Sequence, residues 1–274
     1  MIDFDFAYYK PSTVNEAVNL FQDLRTDHKE VCYYGGGTEF ISRARRNDIQ
    51  ADAVIDLKAI PECNTFKLVE NQIIIGSAVT LTNIAESTSF PLLSNVIRHI
   101  ATRTERNKIT IGGNIAGHLF YREAILPFLL ADSEIVIAGK DGIRKTKVNG
   151  AQLKKGEFII QIITESIFSQ FPHSNSKRTK HSKVNYPIVS VASLHVDENI
   201  RVAFSGVCEF PFRREEIENE LNDTSKSRKT RIQNAMNYLP APILDDMHAT
   251  RDYRKFALER ALIGVIEKAE GVSS

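Results

Sequence analysis

The chain has 274 residues, 42% of them hydrophobic and 25% charged, which fits a soluble globular protein of two domains or one subdivided domain. Its 35 basic and 34 acidic residues leave a formal charge of +1; no global field favours nucleic acid or an anionic membrane, and no apolar run approaches the ~18 residues of a membrane span. The N-terminus lacks the basic-then-apolar pattern of a signal peptide, and Cys32, Cys63 and Cys208 are too isolated for a disulfide framework or a metal site, so a cytoplasmic chain with no metal of its own is expected.

Thr13 and Glu16 have capping-box spacing and precede Ala17, Leu20, Phe21 and Leu24 at helical period, which predicts a first helix. Short apolar strands follow at residues 31–34 and 53–57, and residues 66–69 and 73–75 read as a hairpin about Glu70-Asn71. Helices are expected from Thr80 through Ile84 and from Pro91 through Ile100, the second decaying into the polar residues 103–107. After an apolar helix at 125–130, Asp141-Gly142 predicts a hairpin between strands 133–138 and 143–148, and a strand at 157–164 closes this region. Residues 166–175 read as a linker. Beyond it come strands at 176–181, 188–196 and 200–207, helices at 215–221 and 226–238, and a last helix from Arg251 with Phe256, Leu258, Ala261, Leu262 and Val265 available for burial. The pattern is an α+β front ending near residue 165 and a back with a three-stranded, helix-covered sheet.

Two segments carry the chemistry. Gly35-Gly36-Gly37-Thr38-Glu39 and Thr110-Ile111-Gly112-Gly113-Asn114 each place glycines directly after an apolar run. Glycine admits positive φ and lets backbone N–H groups approach a ligand, and successive N–H groups in such a turn form a nest for anions. Two nests in one chain point to a dinucleotide diphosphate, with Thr38 and Thr110 as hydroxyl donors and the Asn114 amide usable in either sense. Neither segment continues as G-x-G-x-x-G or as a P-loop. Taken singly, each is more often a plain turn than a phosphate loop. No triad, paired-carboxylate motif or metal cluster offers another chemistry.

The order and spacing of these segments resemble the FAD-binding (medium) subunit of the xanthine dehydrogenase and carbon monoxide dehydrogenase family of molybdenum hydroxylases. Val54-Ile55-Asp56-Leu57, Ile74-Ile75-Gly76-Ser77-Ala78-Val79-Thr80-Leu81, Arg106-Asn107 before the second segment, Gly156-Glu157, and Arg251-Asp252-Tyr253-Arg254 extend the resemblance over nearly the whole chain. It implies a two-lobed vanillyl-alcohol-oxidase (PCMH)-type FAD-binding domain at residues 1–165, with lobes at about 1–57 and 58–165, followed by a small α/β C-terminal flavoprotein domain at 176–274. The implied FAD contacts are Tyr33, Tyr34, Gly35, Gly36, Gly37, Thr38, Glu39, Ile100, Thr110, Ile111, Gly112, Gly113 and Asn114. The family's acidic ligand falls on Glu123, although counting back from Pro127 falls on Ala124, and a solvated Glu opening a helix is the plain alternative. Ile159 matches an apolar residue packed on the flavin and equally suits ordinary core. Lys177 resembles a lysine at the reactive edge of the isoalloxazine, where a cation stabilises the reduced ring, or is one exposed base in a basic run. Asn185 stands where the family tends to carry Asp.

The implied function is electron transfer from [2Fe-2S] clusters on a small subunit, fed by a molybdopterin-binding large subunit, through FAD to NAD+, with xanthine as the preferred substrate of the complex. A homodimer of that complex is compatible with the resemblance. The rival readings are a stand-alone FAD-dependent oxidoreductase with its own substrate, and a degenerate scaffold without catalysis.

Overall fold

The computed structural model describes residues 2–27, 29–182 and 185–271. They form two compact units that interleave along the chain, rather than two consecutive domains. One comprises residues 1–86, 102–117 and 133–165; the other comprises 87–101, 118–132 and 166–274.

The first unit holds two sheets. Strands β1 (Ala7–Tyr9), β2 (Val31–Tyr34) and β3 (Ala53–Asp56) form a parallel sheet in the order β1-β3-β2. Central β3 is buried at every position, as expected of a parallel strand covered on both faces. The helix Val14–Thr26 is capped by Thr13 Oγ1, which accepts from Glu16 N at 3.1 Å; the Glu16 carboxylate reaches back to Ser12 N at 2.7 Å rather than to Thr13. Strands β4 (Phe66–Val69), β5 (Gln72–Gly76), β6 (Glu134–Gly139), β7 (Gly142–Lys147) and β8 (Phe158–Glu165) form an antiparallel sheet in the order β4-β5-β8-β6-β7. Its β6–β7 turn places Gly142 at φ +101°, so the expected Asp-Gly turn is present. Phe21, Ile55, Cys63, Ala138, Phe158 and Ile160 belong to one core that draws on both sheets.

The second unit is built on β9 (His173–Thr179), β10 (Pro187–Val196), β11 (Asn199–Ser205) and β12 (Phe212–Arg213), antiparallel in the order β12-β11-β10-β9. The three expected strands are joined by a two-residue fourth, β12. All of β10 is buried except half-buried His195, so its sequence reads as an apolar run rather than an alternation. The C-terminal helix Arg251–Ala269 packs on β10, and helices Pro91–Arg98 and Leu126–Leu130 pack on β9 and on β10–β11 respectively. Arg254 opens that C-terminal helix fully buried. Its Nη1 donates to Ile188 O and Gly206 O at 2.7 Å and its Nη2 to both Asp246 carboxylate oxygens at 2.7 Å, charge-assisted bonds that make a buried arginine tolerable.

Several expectations are corrected. The linker at 166–175 is a short 3-10 turn followed by β9, which begins at His173. The polar stretch 103–107 is its own helical turn, Arg103–Arg106, closed by a Thr102–Glu105 capping box. Phe256 is exposed, whereas Leu258, Leu262 and Val265 are buried as expected. The helices Thr38–Arg45 and Ile111–Ala116, which carry the glycine segments, have no counterpart in the sequence reading. Among the described residues no helix is long and apolar enough to cross a membrane.

Candidate functional site

Both glycine segments lie in the first unit and press on each other. The first leaves β2 at Tyr34 and enters the helix Thr38–Arg45 through Gly37, whose φ of +71° suits glycine. A Cβ on Gly35 would come within 2.6 Å of Thr110 Oγ1, and one on Gly36 would overlap the Lys108 carbonyl, so the first segment has no room for side chains where it meets residues 108–110. A Cβ on Gly37 would overlap the Tyr34 ring. Gly36→Ala is therefore expected to destabilise the chain by about 1–3 kcal/mol through overpacking against backbone, read as a lower urea midpoint.

The amides of the two segments differ. Among the described residues the N–H groups of Gly36, Gly37 and Thr38 donate to no other group. They stand at a helix N-terminus, where three free donors and the helix dipole favour an anion. In the second segment the amides are occupied. Ile111 N–H donates to Val79 O, Gly112 N–H to Ser77 O and Asn114 N–H to Thr110 O, all at 2.9 Å, and Gly113 N–H donates to Thr110 Oγ1 at 3.2 Å. The second segment is thus a capped short helix docked on residues 77–80, not an open nest. Its offered surface is exposed Gly113 and half-buried Asn114, whereas Thr110 is buried with its hydroxyl serving as the cap. A Cβ at Gly113 would meet only Thr110 Oγ1, at 2.9 Å.

Tyr8, Asp56 and Lys58 anchor the first segment. Lys58 Nζ donates to Gly35 O at 2.8 Å and pairs with Asp56 Oδ2 at 2.7 Å, lying 4.7 Å from the Tyr34 ring centroid. The Tyr8 hydroxyl donates to Asp56 as well. Burial alone would raise Asp56, but the Lys58 and Tyr8 hydrogen bonds outweigh it and hold the carboxyl below its usual range. Tyr8 is pushed up from 10 to about 12, first by its bond to Asp56 and then by desolvation and the carboxylate charge. Its hydroxyl therefore supports the fold below pH 10, and that support is lost as pH rises through about 12. Tyr8→Phe is expected to abolish this alkaline step in a stability-versus-pH series; an unchanged step would assign it elsewhere. An acid inside the otherwise apolar run 53–57 was the signal in the sequence for this network.

The remaining expected contacts are distributed. Tyr33 is half-buried, stacked on Phe21 at 5.0 Å and packed on Phe158 at 4.6 Å, with its hydroxyl donating to Gly156 O at 3.3 Å. Glu39 lies 3.7 Å from Arg43. Ile159 is buried in β8 opposite the register shift between Val136 and Ile137.

Ile100, Glu123 and Lys177 belong to the second unit. Ile100 is buried past the end of the helix Pro91–Arg98. Glu123 and Lys177 meet: Lys177 Nζ lies 2.8 Å from Glu123 Oε2 and donates to His99 O at 2.8 Å, with side chains only 5% and 6% exposed. Lys177 is thus not a free base in a basic run, and Glu123 is not solvated. Burial pushes the Glu123 carboxyl up, while Lys177 and the Ser190 hydroxyl draw it down. Asn185 accepts from Ser182 Oγ at 2.9 Å.

The family model described as FAD binding domain in molybdopterin dehydrogenase matches residues 4–163. The carbon monoxide dehydrogenase medium chain of Hydrogenophaga pseudoflava is 26% identical over 232 residues, 78% of this chain and 79% of that one. The nicotinate dehydrogenase FAD-subunit of Eubacterium barkeri is 24% identical over 217 residues, covering 74% and 71%. Among solved structures, carbon monoxide dehydrogenase from Hydrogenophaga pseudoflava superposes with a TM-score of 0.88 at 21% identity over the full length of both chains. Quinoline 2-oxidoreductase from Pseudomonas putida 86 gives 0.85 at 20% identity over 99% of each. These superpositions establish the fold.

Proposed function

The chain belongs to the family of FAD binding domains in molybdopterin dehydrogenases, and from that premise we propose that it passes electrons from [2Fe-2S] clusters of a small subunit to NAD+ within a cytoplasmic xanthine dehydrogenase-like complex. At the coarser level it is the FAD-binding oxidoreductase subunit of a molybdenum hydroxylase. The observation that carries the site assignment is the head of the helix Thr38–Arg45, where three amides are free and the glycines leave no Cβ in the way.

Those amides, of Gly36, Gly37 and Thr38, hold one side of the diphosphate, and the bare face of Gly113 with the Asn114 side chain holds the other. Neutral donors suffice, which suits a chain of net charge +1. Lys58 fixes the Gly35 carbonyl and leaves a cation beside the first loop. FAD, when bound, supplies the redox step, accepting electrons and releasing them as hydride. In the second unit, Lys177 and Glu123 form a buried ion pair whose lysine can donate toward a developing negative charge once a ligand competes for it. Cys32, Cys63 and Cys208 are free and separate, so the clusters belong to a partner, as does the molybdopterin on the large subunit; two copies of the complex pair as a homodimer.

The acceptor is tested by mixing the purified chain anaerobically with NADH. Rapid flavin bleaching supports NAD+ as acceptor; no bleaching with NADH but rapid reoxidation by dioxygen of flavin reduced chemically would refute it. Substrate class is tested on the copurified complex, where turnover of xanthine is expected and turnover of carbon monoxide or nicotinate alone would contradict it.

A further inference from the structure

We infer that Lys58 is a positioning residue: by holding the Gly35 carbonyl it turns the next amide, Gly36 N–H, toward the anion. The assignment rests on the FAD reading above and adds to it a residue outside both glycine segments. Lys58 Nζ donates to Gly35 O at 2.8 Å. The Gly35–Gly36 peptide is trans, since the cis bond among the described residues is Ala241–Pro242. In a planar trans peptide the carbonyl and the following N–H face opposite sides of the chain. The Gly36 N–H therefore faces away from Lys58, and it donates to no group of the described residues.

The segment alone does not fix that direction. Turning a peptide over changes ψ of the residue before it and φ of the residue after it. Here both are glycine, which populates either sign of φ at little cost. In the inverted arrangement the Gly35 oxygen would stand among the free amides in place of a donor, and its lone pairs would repel phosphate oxygens. The Lys58 ammonium opposes that arrangement twice. It would lose its carbonyl acceptor and would face the positive end of the Gly36 N–H dipole.

Lys58 is itself held from several sides. Asp56 Oδ1 accepts from Lys58 N–H at 2.9 Å, opening the 3-10 turn Leu57–Ala59, and Oδ2 pairs with Lys58 Nζ at 2.7 Å. One carboxylate thus grips the backbone and the tip of the same residue. Asp56 is buried and also accepts from the Tyr8 hydroxyl, and the ammonium lies 4.7 Å from the Tyr34 ring centroid. The Tyr34 ring and hydroxyl in turn stand where a Cβ on Gly37 would be, so Lys58 touches the loop at residues 34 and 35 together.

A plain counter-charge for the phosphates describes this lysine less well. The Asp56 carboxylate 2.7 Å away offsets most of its charge at longer range. Two of its three donors are engaged with Asp56 and Gly35 O, and its ammonium lies against Tyr34. Acting through the peptide, the same contact works by geometry and is insensitive to salt, whereas a half-exposed charge acting on the ligand directly is screened.

The test uses the full chain freed of flavin, with FAD and ADP as probes of the parent, Lys58→Met and Lys58→Arg, each checked for folding by circular dichroism and urea. Both affinities should fall about ten- to a hundredfold in Lys58→Met, the size of one charge-assisted hydrogen bond. That gap should persist from low to high salt, and Lys58→Arg, which keeps donor and charge, should recover most of the loss. A gap that closes in high salt, an arginine variant as weak as the methionine one, or unchanged affinity in a folded Lys58→Met chain would overturn the inference and leave the FAD reading standing. Glycine labelled at its carbonyl carbon and nitrogen isolates, by NMR, the amides that follow another glycine, which are Gly36, Gly37 and Gly113. The Gly36 amide signal should move when ADP binds the parent and stay still in Lys58→Met at saturating ADP. A parent whose Gly36 amide ignores bound ADP overturns the inference even where the variant does not fold. A parent that binds neither FAD nor ADP removes the FAD reading as well.

Discussion

Gly113→Val is expected to give a folded chain that retains no FAD. Gly113 is the exposed glycine of the second segment, and a Cβ there would meet only the capping Thr110 hydroxyl, at 2.9 Å. Displacing that cap costs about 1 kcal/mol, too little to unfold a domain of ordinary stability. The isopropyl group would instead project into the space assigned to the diphosphate, where two added methyls cannot be accommodated beside phosphate oxygens. The contrast with Gly36 matters, because there even alanine collides with the Lys108 backbone, so lost flavin would not separate binding from folding. Absorbance of the purified variant, normalised to protein and paired with circular dichroism, checks the result. Parental flavin content in a folded Gly113→Val chain would withdraw the second segment from the site.

Glu123→Ala should lower stability by about 3–5 kcal/mol, because it leaves the Lys177 ammonium buried without its counter-charge. The remaining partner, His99 O, satisfies one of its three donors. Lys177→Met should cost comparably, whereas Glu123→Ala with Lys177→Met together should cost less than the two losses added, since no unpaired charge is then left buried. Urea denaturation of the set gives the coupling energy as a double-mutant cycle. Strict additivity would show that the pair is not a unit. The same chains separate structure from chemistry at Lys177: if the lysine also serves the reduced cofactor, the double variant, in which no charge is left unpaired, will still bleach slowly with NADH.

The sequence made the glycine segments, the capped first helix and most strands legible, because those features depend on neighbours a few residues apart. Thr13, Asp141-Gly142 and the apolar run of β10 each announce local geometry. What stayed hidden was set by contacts distant in sequence. Residues 87–101 and 118–132 join the C-terminal sheet rather than the sheets that flank them in sequence, and nothing in their apolar periodicity says which sheet they will cover. The second glycine segment looked like an anion nest, yet Ser77 O and Val79 O take two of its amides from a strand-like stretch more than thirty residues earlier. Lys177 lay in a basic run that predicts exposure, and only the meeting of β9 with Glu123 buries it. In the sequence Asp56 is one residue of a short strand; its pairing with Lys58 and the anchoring of Gly35 appear once β3 is seen beside β2.

The most direct measurement is the absorbance spectrum of the purified chain, followed by mass analysis of the small molecule released on denaturation. The account predicts flavin bands and the mass of FAD, with one cofactor per chain. A colourless, folded chain that takes up no added FAD would contradict it.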